Sequence, residues 1–472
     1  MLRFFKSSLP AQLVAVLLLL LALRLPLLWL GLPPTPAELR GLLLGERLHA
    51  GALLYRDLYD GTAPLAAAAF GALDWVRGRP LFLYRVVALG LLVAQALRLN
   101  LVLNRADVHP DRGYLVALTY LLVGSLSTDL DALTPLLLGH TFVVFSLSTL
   151  LPTSREGYDN RRLFRAGFMI GLAALCYLPL GLFVLLGLFA VIIFAPNAIR
   201  SFFLLLCGVL FPGAVVATFF FYADAWPDLV RLHLLPGLTG GGPALADGLP
   251  AAVQLRLLLV PGALLLAALL RSLGTPLGLV FQVKFRQLML GWLLVAVAVG
   301  AVGQGRAPGT LVLALPPLAY FGLFLWQKAR PAWVPELVLL AVLGGTVALR
   351  YRTLLPGLPS LLQLPPESRF AVRPDPAYAR LQGQRLLVLG ANRRPYLTNF
   401  SATPYVDWPS AQADFARLDE YAAVVRVAQN VGQRPPAYVL DEAGLMPRLQ
   451  SQIPAVFGAY HPTATPRLYR RR

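Results

Sequence analysis

Two short stretches of this chain concentrate groups that could do chemistry. "YRDLYDGTAPL" (55–65) carries Asp57 and Asp60 beside Arg56 and two tyrosines, and "SLSTDLDALTP" (125–135) carries Asp129 and Asp131 two residues apart. A carboxylate can take the proton from an attacking hydroxyl, and two carboxylates at that spacing can share a hard divalent cation that clamps phosphate oxygens. Each also has a structural reading: Asp57 and Asp60 precede Gly61 in a turn, and either Asp129 or Asp131 caps the helix that follows. Glu38 follows Pro36 at the head of "PAELRGLLLGERLHAG", where an acid either complements a helix N-terminus or serves as a general base. Arg306, in the glycine-flanked "GQGRAPG", is a candidate phosphate contact through its guanidinium, or a snorkelling arginine. Arg231 and His233 lie in "YADAWPDLVRLHLLPGLTGGGPALADG" (222–248), a glycine-rich stretch suited to a lid over a bound ligand. His140, inside an apolar run, reads as a packed or hydrogen-bonded histidine, although intramembrane ionisable groups invite a functional reading.

These groups need a scaffold, and the composition names its class. The chain has 472 residues, 57% hydrophobic and 14% charged, with a mean hydropathy of +0.66; such apolar content belongs to a polytopic membrane protein and not to one soluble core. The net charge of +18 lies largely in short loops between apolar runs, as the positive-inside rule expects, so it signals topology and not a nucleic-acid partner. Cys176 and Cys207 both fall in apolar runs and imply no disulfide framework.

With about 20 residues per crossing, about eleven spans are expected, near 10–31, 83–103, 114–128, 133–152, 166–180, 181–196, 201–222, 253–271, 288–304, 309–327 and 333–354. The division within 166–196 is open, because "CYLPLGLF" reads as a turn between two short spans or as a kink in one. Basic residues at alternate ends place the N-terminus inside. The first loop (32–82) and the tail then lie outside. Within that loop, "PAELRGLLLGERLHAG" reads as an amphipathic surface helix with Glu38, Arg40, Glu46 and Arg47 set against leucines, and "APLAAAAFGALDWV" as a second interfacial or re-entrant helix. The domain division is therefore 1–355 for the transmembrane part and 356–472 for a small extracytoplasmic α/β domain. In that domain "RLLVLG" and "AYVLD" read as buried strands, 410–430 as an amphipathic helix, 442–452 as a short helix and "RLYRR" as a last strand. The strand ending at Gly390 lacks the other glycines of a dinucleotide fingerprint, so no nucleotide cofactor is expected.

The layout of Glu38, then "YRDLYDGTAPL", then the arginine of "YRVVALGLL" resembles the first external loop of the GT-C membrane glycosyltransferases. That group includes the polyprenyl-phosphate-sugar-dependent protein O-mannosyltransferases and aminoarabinose transferases. The middle section "RRLFRAGFMIGLAALCYLPLGLFVLLGLFAVII", the later "GQGRAPGTLVLALPPLAY" and the polar C-terminal domain extend the resemblance. Ala37 stands where many members have the first acid of a pair, and Pro308, Gly309 and Thr310 replace a histidine-tyrosine.

The resemblance implies an inverting transferase that moves a sugar from a polyprenyl-phosphate donor to an acceptor at the external face of the cytoplasmic membrane. Glu38 and Asp57 would be its catalytic acids, and Asp60, Arg306, Arg231 and His233 would contact substrate. Asp129 and Asp131 would hold a divalent cation, Mg²⁺ or Mn²⁺. The lipid-linked donor and membrane lipid are the implied partners; protein partners are not legible. Ala37 and the missing histidine-tyrosine keep a second class open: a catalytically inactive GT-C-shaped scaffold, or a transporter-like protein, of envelope assembly.

Overall fold

The computed structural model describes residues 2–108, 113–151, 160–195, 198–239, 251–275, 279–303, 309–326, 333–352 and 371–472. Its contacts group into two units, one of Met1–Leu32, Phe82–Thr218 and Gly248–Arg369, the other of Pro33–Leu81, Phe219–Asp247 and Phe370–Arg472.

The first unit is helical. Helix occupies part of every expected span, and among the described residues five helices are long and apolar enough to cross a membrane: Pro10–Trp29, Leu81–Arg105, Ala198–Tyr222, Ala252–Leu273 and Val280–Val302. The open stretch at 166–196 resolves into two helices, Asn160–Cys176 and Phe183–Phe194, joined by a 3₁₀ turn at Leu178–Leu182. Tyr177 leaves the helix in an extended conformation, two residues before Pro179, which has no N–H with which to continue the helical ladder. Asn160–Cys176 also packs backbone to backbone on Ala198–Tyr222: a Cβ on Gly167 or Gly171 would strike the carbonyl of Leu205 or Val209, and one on Gly208 that of Phe164. Small residues four apart are the usual means by which apolar helices approach so closely.

The second unit contains a five-stranded sheet of order β2-β1-β3-β5-β4. Here β1 is Arg385–Leu389, β2 Phe400–Ser401, β3 Tyr438–Asp441, β4 Tyr460–Pro462 and β5 Leu468–Arg471. β1 runs parallel to β2 and β3, and β5 runs antiparallel to both β3 and β4. Four consecutive residues of β1 are buried, as in a strand covered on both faces, which is why "RLLVLG" reads as a continuous apolar run. The single helix expected over 410–430 is two, Trp408–Ala416 and Tyr421–Gly432; the break between them turns Leu418 into the core. Strands β2 and β4 are too short to leave a pattern of their own.

Residues 33–81 fold into this same unit. Helix Pro36–His49 packs on helix Pro64–Val76, the amide of Tyr59 donates to the Pro404 carbonyl at 2.8 Å, and the amide of Val372 donates to that of Pro34 at 2.8 Å. The expected pattern of charges turned away from leucines along Pro36–His49 is not observed, because Glu38, Arg40 and Arg47 are buried together with Leu39, Leu42, Leu43 and Leu44. The reason is local: Arg40 finds its counter-charges inside the unit.

Candidate functional site

In the second unit, Arg40 lies between two carboxylates. Its Nε is 3.6 Å from Asp60 Oδ2 and its Nη2 bonds Asp407 Oδ1. Arg393 Nη2 donates to the same Asp407 oxygen at 2.7 Å, and Ser410 Oγ donates to the other at 2.8 Å. Asp407 is the N-cap of Trp408–Ala416, so the helix start and the ion cluster share one carboxylate. Burial would raise its pKa, but Arg40 and Arg393 outweigh burial and hold it below the usual range. Asp60 is also fully buried. Its Oδ1 accepts from the Thr62 amide at 2.7 Å. Burial raises its pKa against the pull of Arg40, and the nearby Asp407 raises it further. Asp60 is thus a partner of Arg40 and is not presented to a substrate, contrary to its expected binding role.

The rest of the 55–65 stretch is also internally engaged. Tyr55 adopts φ +70°, is buried, and donates its hydroxyl to the Thr62 carbonyl at 2.7 Å. Asp57 closes a turn by accepting from the Leu53 amide at 2.9 Å and pairs with Arg56 at 3.0 Å. Burial acts upward on Asp57, yet the bonds from Arg56 and Leu53 prevail and lower its pKa. It remains the accessible carboxylate of the stretch. Glu38 completes a capping box: Glu38 Oε2 accepts from the Thr35 amide at 2.8 Å, while Thr35 Oγ1 accepts from the Glu38 amide at 3.2 Å. The helix-terminus reading of Glu38 therefore describes its geometry, and its carboxylate is held in one orientation.

Arg231 and His233 belong to a helical segment, not to an open loop. Arg231 Nη2 donates to Asp414 Oδ1 at 2.9 Å and lies 5.7 Å from the centre of the Tyr59 ring. Arg426 donates to the same Asp414 oxygen at 3.1 Å. His233 Nδ1 is 3.0 Å from the Gly61 carbonyl and its ring stacks on Tyr55; bonding a carbonyl requires that Nδ1 carry the proton. Burial lowers its pKa and the bond to Gly61 opposes this.

In the first unit, Asp131 is held by two arginines. Arg24 Nη1 lies 2.7 Å from one carboxylate oxygen and Arg350 Nη2 lies 2.6 Å from the other. The remaining guanidinium donors reach main-chain and hydroxyl oxygens. Arg24 bonds Ser125 Oγ and the carbonyls of Gly124 and Leu130; Arg350 bonds the carbonyls of Leu23 and Ser125. A cation shared by Asp129 and Asp131 would have to share the Asp131 carboxylate with Arg24 and Arg350, so the Asp-x-Asp spacing by itself does not make an open ligand pair. Asp129 instead lines a cavity of about 30 Å³ with Ser127, Gln254, Thr310 and Gly309 beside Leu126, Leu130, Leu257, Leu258 and Leu311. Gly309 adopts φ +77°, a left-handed conformation that favours glycine, and packs against Leu130 on this wall. No cluster of three or more His, Cys, Asp or Glu side chains able to hold a metal occurs among the described residues. Arg306 lies outside the described residues. His140 is buried, with Nδ1 3.1 Å from Gln95 Oε1, in accord with a hydrogen-bonded interior histidine.

Sequence reasoning missed Arg24, Arg40, Arg350, Arg393, Asp407 and Asp414. Arg24 did leave a signal, a charge inside a membrane-length apolar run, which ordinarily demands a partner. Asp407 and Asp414 left none, since an acid in a polar domain is unremarkable until it is buried.

No family model and no curated protein matches this chain. Its fold is similar to that of the archaeal oligosaccharyltransferase AglB from Archaeoglobus fulgidus, solved in complex with an inhibitory peptide and a dolichol-phosphate, with 13% sequence identity and a TM-score of 0.47 over 94% of this chain and 70% of that one.

Proposed function

We infer that the protein is an inverting membrane glycosyltransferase that moves a sugar from a polyprenyl-phosphate donor to an acceptor at the external face of the cytoplasmic membrane. The observation that carries this reading is the cavity wall at Asp129. One carboxylate, two hydroxyl side chains and an amide stand among five leucines in a unit built of membrane-length apolar helices. Such a wall offers polar contacts to a headgroup beside apolar surface for a chain, while the cavity itself, at about 30 Å³, has room for a water and not for the whole donor. The external loop that resembles the GT-C family supports the same reading from the sequence. In it the chain crosses about eleven times with residues 356–472 outside, Glu38 or Asp57 deprotonates the acceptor, and Arg306 meets the departing phosphate. A divalent cation, if used, draws on Asp129 and not on a free Asp129–Asp131 pair.

The test is release of polyprenyl phosphate from lipid-linked sugars by the purified protein. With an active donor, Glu38→Gln should lower turnover by roughly 10²- to 10⁴-fold if Glu38 is the base. Thr35→Ala, which removes the other half of the capping box at about 1 kcal/mol of stability, should leave turnover near that of the wild type. Equal losses in the two variants would reduce Glu38 to a cap and move the role to Asp57.

One observation favours the scaffold reading: Asp60, Asp131, Arg231 and His233 are each engaged within the protein. Absence of release with every lipid-linked sugar tried, from protein that is folded and monodisperse, would select it.

A further inference from the structure

The chain between Tyr222 and Thr239 presents two opposed faces of unusual composition. Helix Ala198–Tyr222 ends in a Schellman turn: Asp224 takes φ +53°, its amide donates to the Phe221 carbonyl, and the Ala225 amide donates to that of Phe220. The chain then continues helically through Trp226–Leu229, a π-helical turn at Val230–Leu234 and Leu235–Thr239. Ala225, Leu229, Leu232 and His233 face inward and are buried. The basic groups also turn toward the protein, Arg231 to Asp414 and His233 to the Gly61 carbonyl. What is left outside is mainly apolar and aromatic, Phe221, Tyr222 (93% exposed), Trp226, Leu235 and Leu238 (72% exposed), with the acidic Asp224 at the turn and Thr239 at the far end.

A water-facing helix keeps large apolar side chains off its outer face, whereas here Trp226, Leu235 and Leu238 lie on it. An outer face of Tyr, Trp and Leu is what the boundary between headgroups and acyl chains selects. The covalent path points the same way, because this segment continues directly from a helix of mean hydropathy 2.3 whose apolar window is only 17% buried by protein. That helix leaves most of its side chains uncovered by protein, and Phe221 and Tyr222 carry the same exposed apolar surface up to the turn.

We propose that residues 222–239 lie in the membrane interface, with Trp226, Leu235 and Leu238 inserted among phospholipid acyl chains and with Arg231 and His233 fixing the inner face to the protein. The segment is then a lipid-seated strap and not a lid moving through water. The proposal stands independently of the glycosyltransferase reading.

The full-length protein in phospholipid nanodiscs tests it. In a Cys207→Ala background, which leaves only the buried Cys176, Leu235→Cys and Leu238→Cys are each labelled with an environment-sensitive fluorophore. Tyr421→Cys, at a position 84% exposed on the C-terminal domain, is the aqueous control. Nitroxides on the acyl chains should quench the labels at 235 and 238 several-fold more than the control, and dissolved iodide should quench them several-fold less. Iodide quenching equal to the control would put the face in water. Protection from both quenchers would mean that protein covers it. Either result overturns the proposal, and two labelled positions keep the test valid if one variant fails to fold.

Discussion

Each unit contains a buried ion cluster, and the two are built on opposite plans. In the first unit one carboxylate, Asp131, serves two arginines, and the surplus positive charge is taken up by the carbonyls of Leu23, Gly124, Ser125 and Leu130. In the second, Asp60 and Asp407 face Arg40 and Arg393, so formal charge balances while Asp60 is held only loosely by Arg40. The first cluster lacks a second carboxylate and relies on main-chain carbonyls; the second balances its charges, and its carboxylates also accept hydrogen bonds from Thr62 and Ser410. The difference matters because arginine cannot shed its proton in a protein, whereas a buried aspartate can neutralise itself by taking one. Losing a partner should therefore be worse where arginines remain behind.

Asp131→Ala is the strongest test. It strands two buried guanidinium groups, and breaking a buried pair in this way typically costs about 3–5 kcal/mol; loss of monodisperse protein on heating in detergent, or complete failure to fold, is expected. Near-wild-type behaviour would show that the carbonyl ligands suffice and would remove the contrast. Arg40→Met should cost less, about 3 kcal/mol, because Asp407 keeps Arg393 and Asp60 can protonate. Its thermal stability should also recover partly on acidification, which that of Asp131→Ala should not.

Asp60→Asn is the smallest and sharpest change. The folded state raises the pKa of Asp60, so above about pH 4, the usual carboxylate value, the folded chain binds a proton that the unfolded chain has released. Asp60 therefore lowers stability as pH rises through this window. Asp407, held low, contributes stability above the ordinary range that is lost only on strong acidification. Asp60→Asn should flatten the fall in melting temperature between mildly acidic and neutral pH while leaving the acid limb in place. An unchanged pH profile would mean that Asp60 is ionised throughout and that the two clusters differ less than their geometry implies.

The membrane class, the helical stretches, the break at Pro179, the helix opening at Pro36 and strands β1, β3 and β5 were legible in the sequence because each follows from local periodicity, proline chemistry or length. So was the concentration of acids in 55–65 and 125–135. What those acids touch was not. A carboxylate reads the same in a string of letters whether it faces a substrate, a cation or a guanidinium hundreds of residues away. Asp131 meets Arg24 and Arg350, and Asp60 and Asp407 meet Arg40, only because the chain folds distant segments together. The tertiary structure alone also grouped residues 33–81 with 371–472 and turned the basic side chains of 231–233 inward and the leucines at 235 and 238 outward. Local propensity decides which residues form a helix; burial, which depends on every other segment, decides which of its faces meets protein and which is left outside.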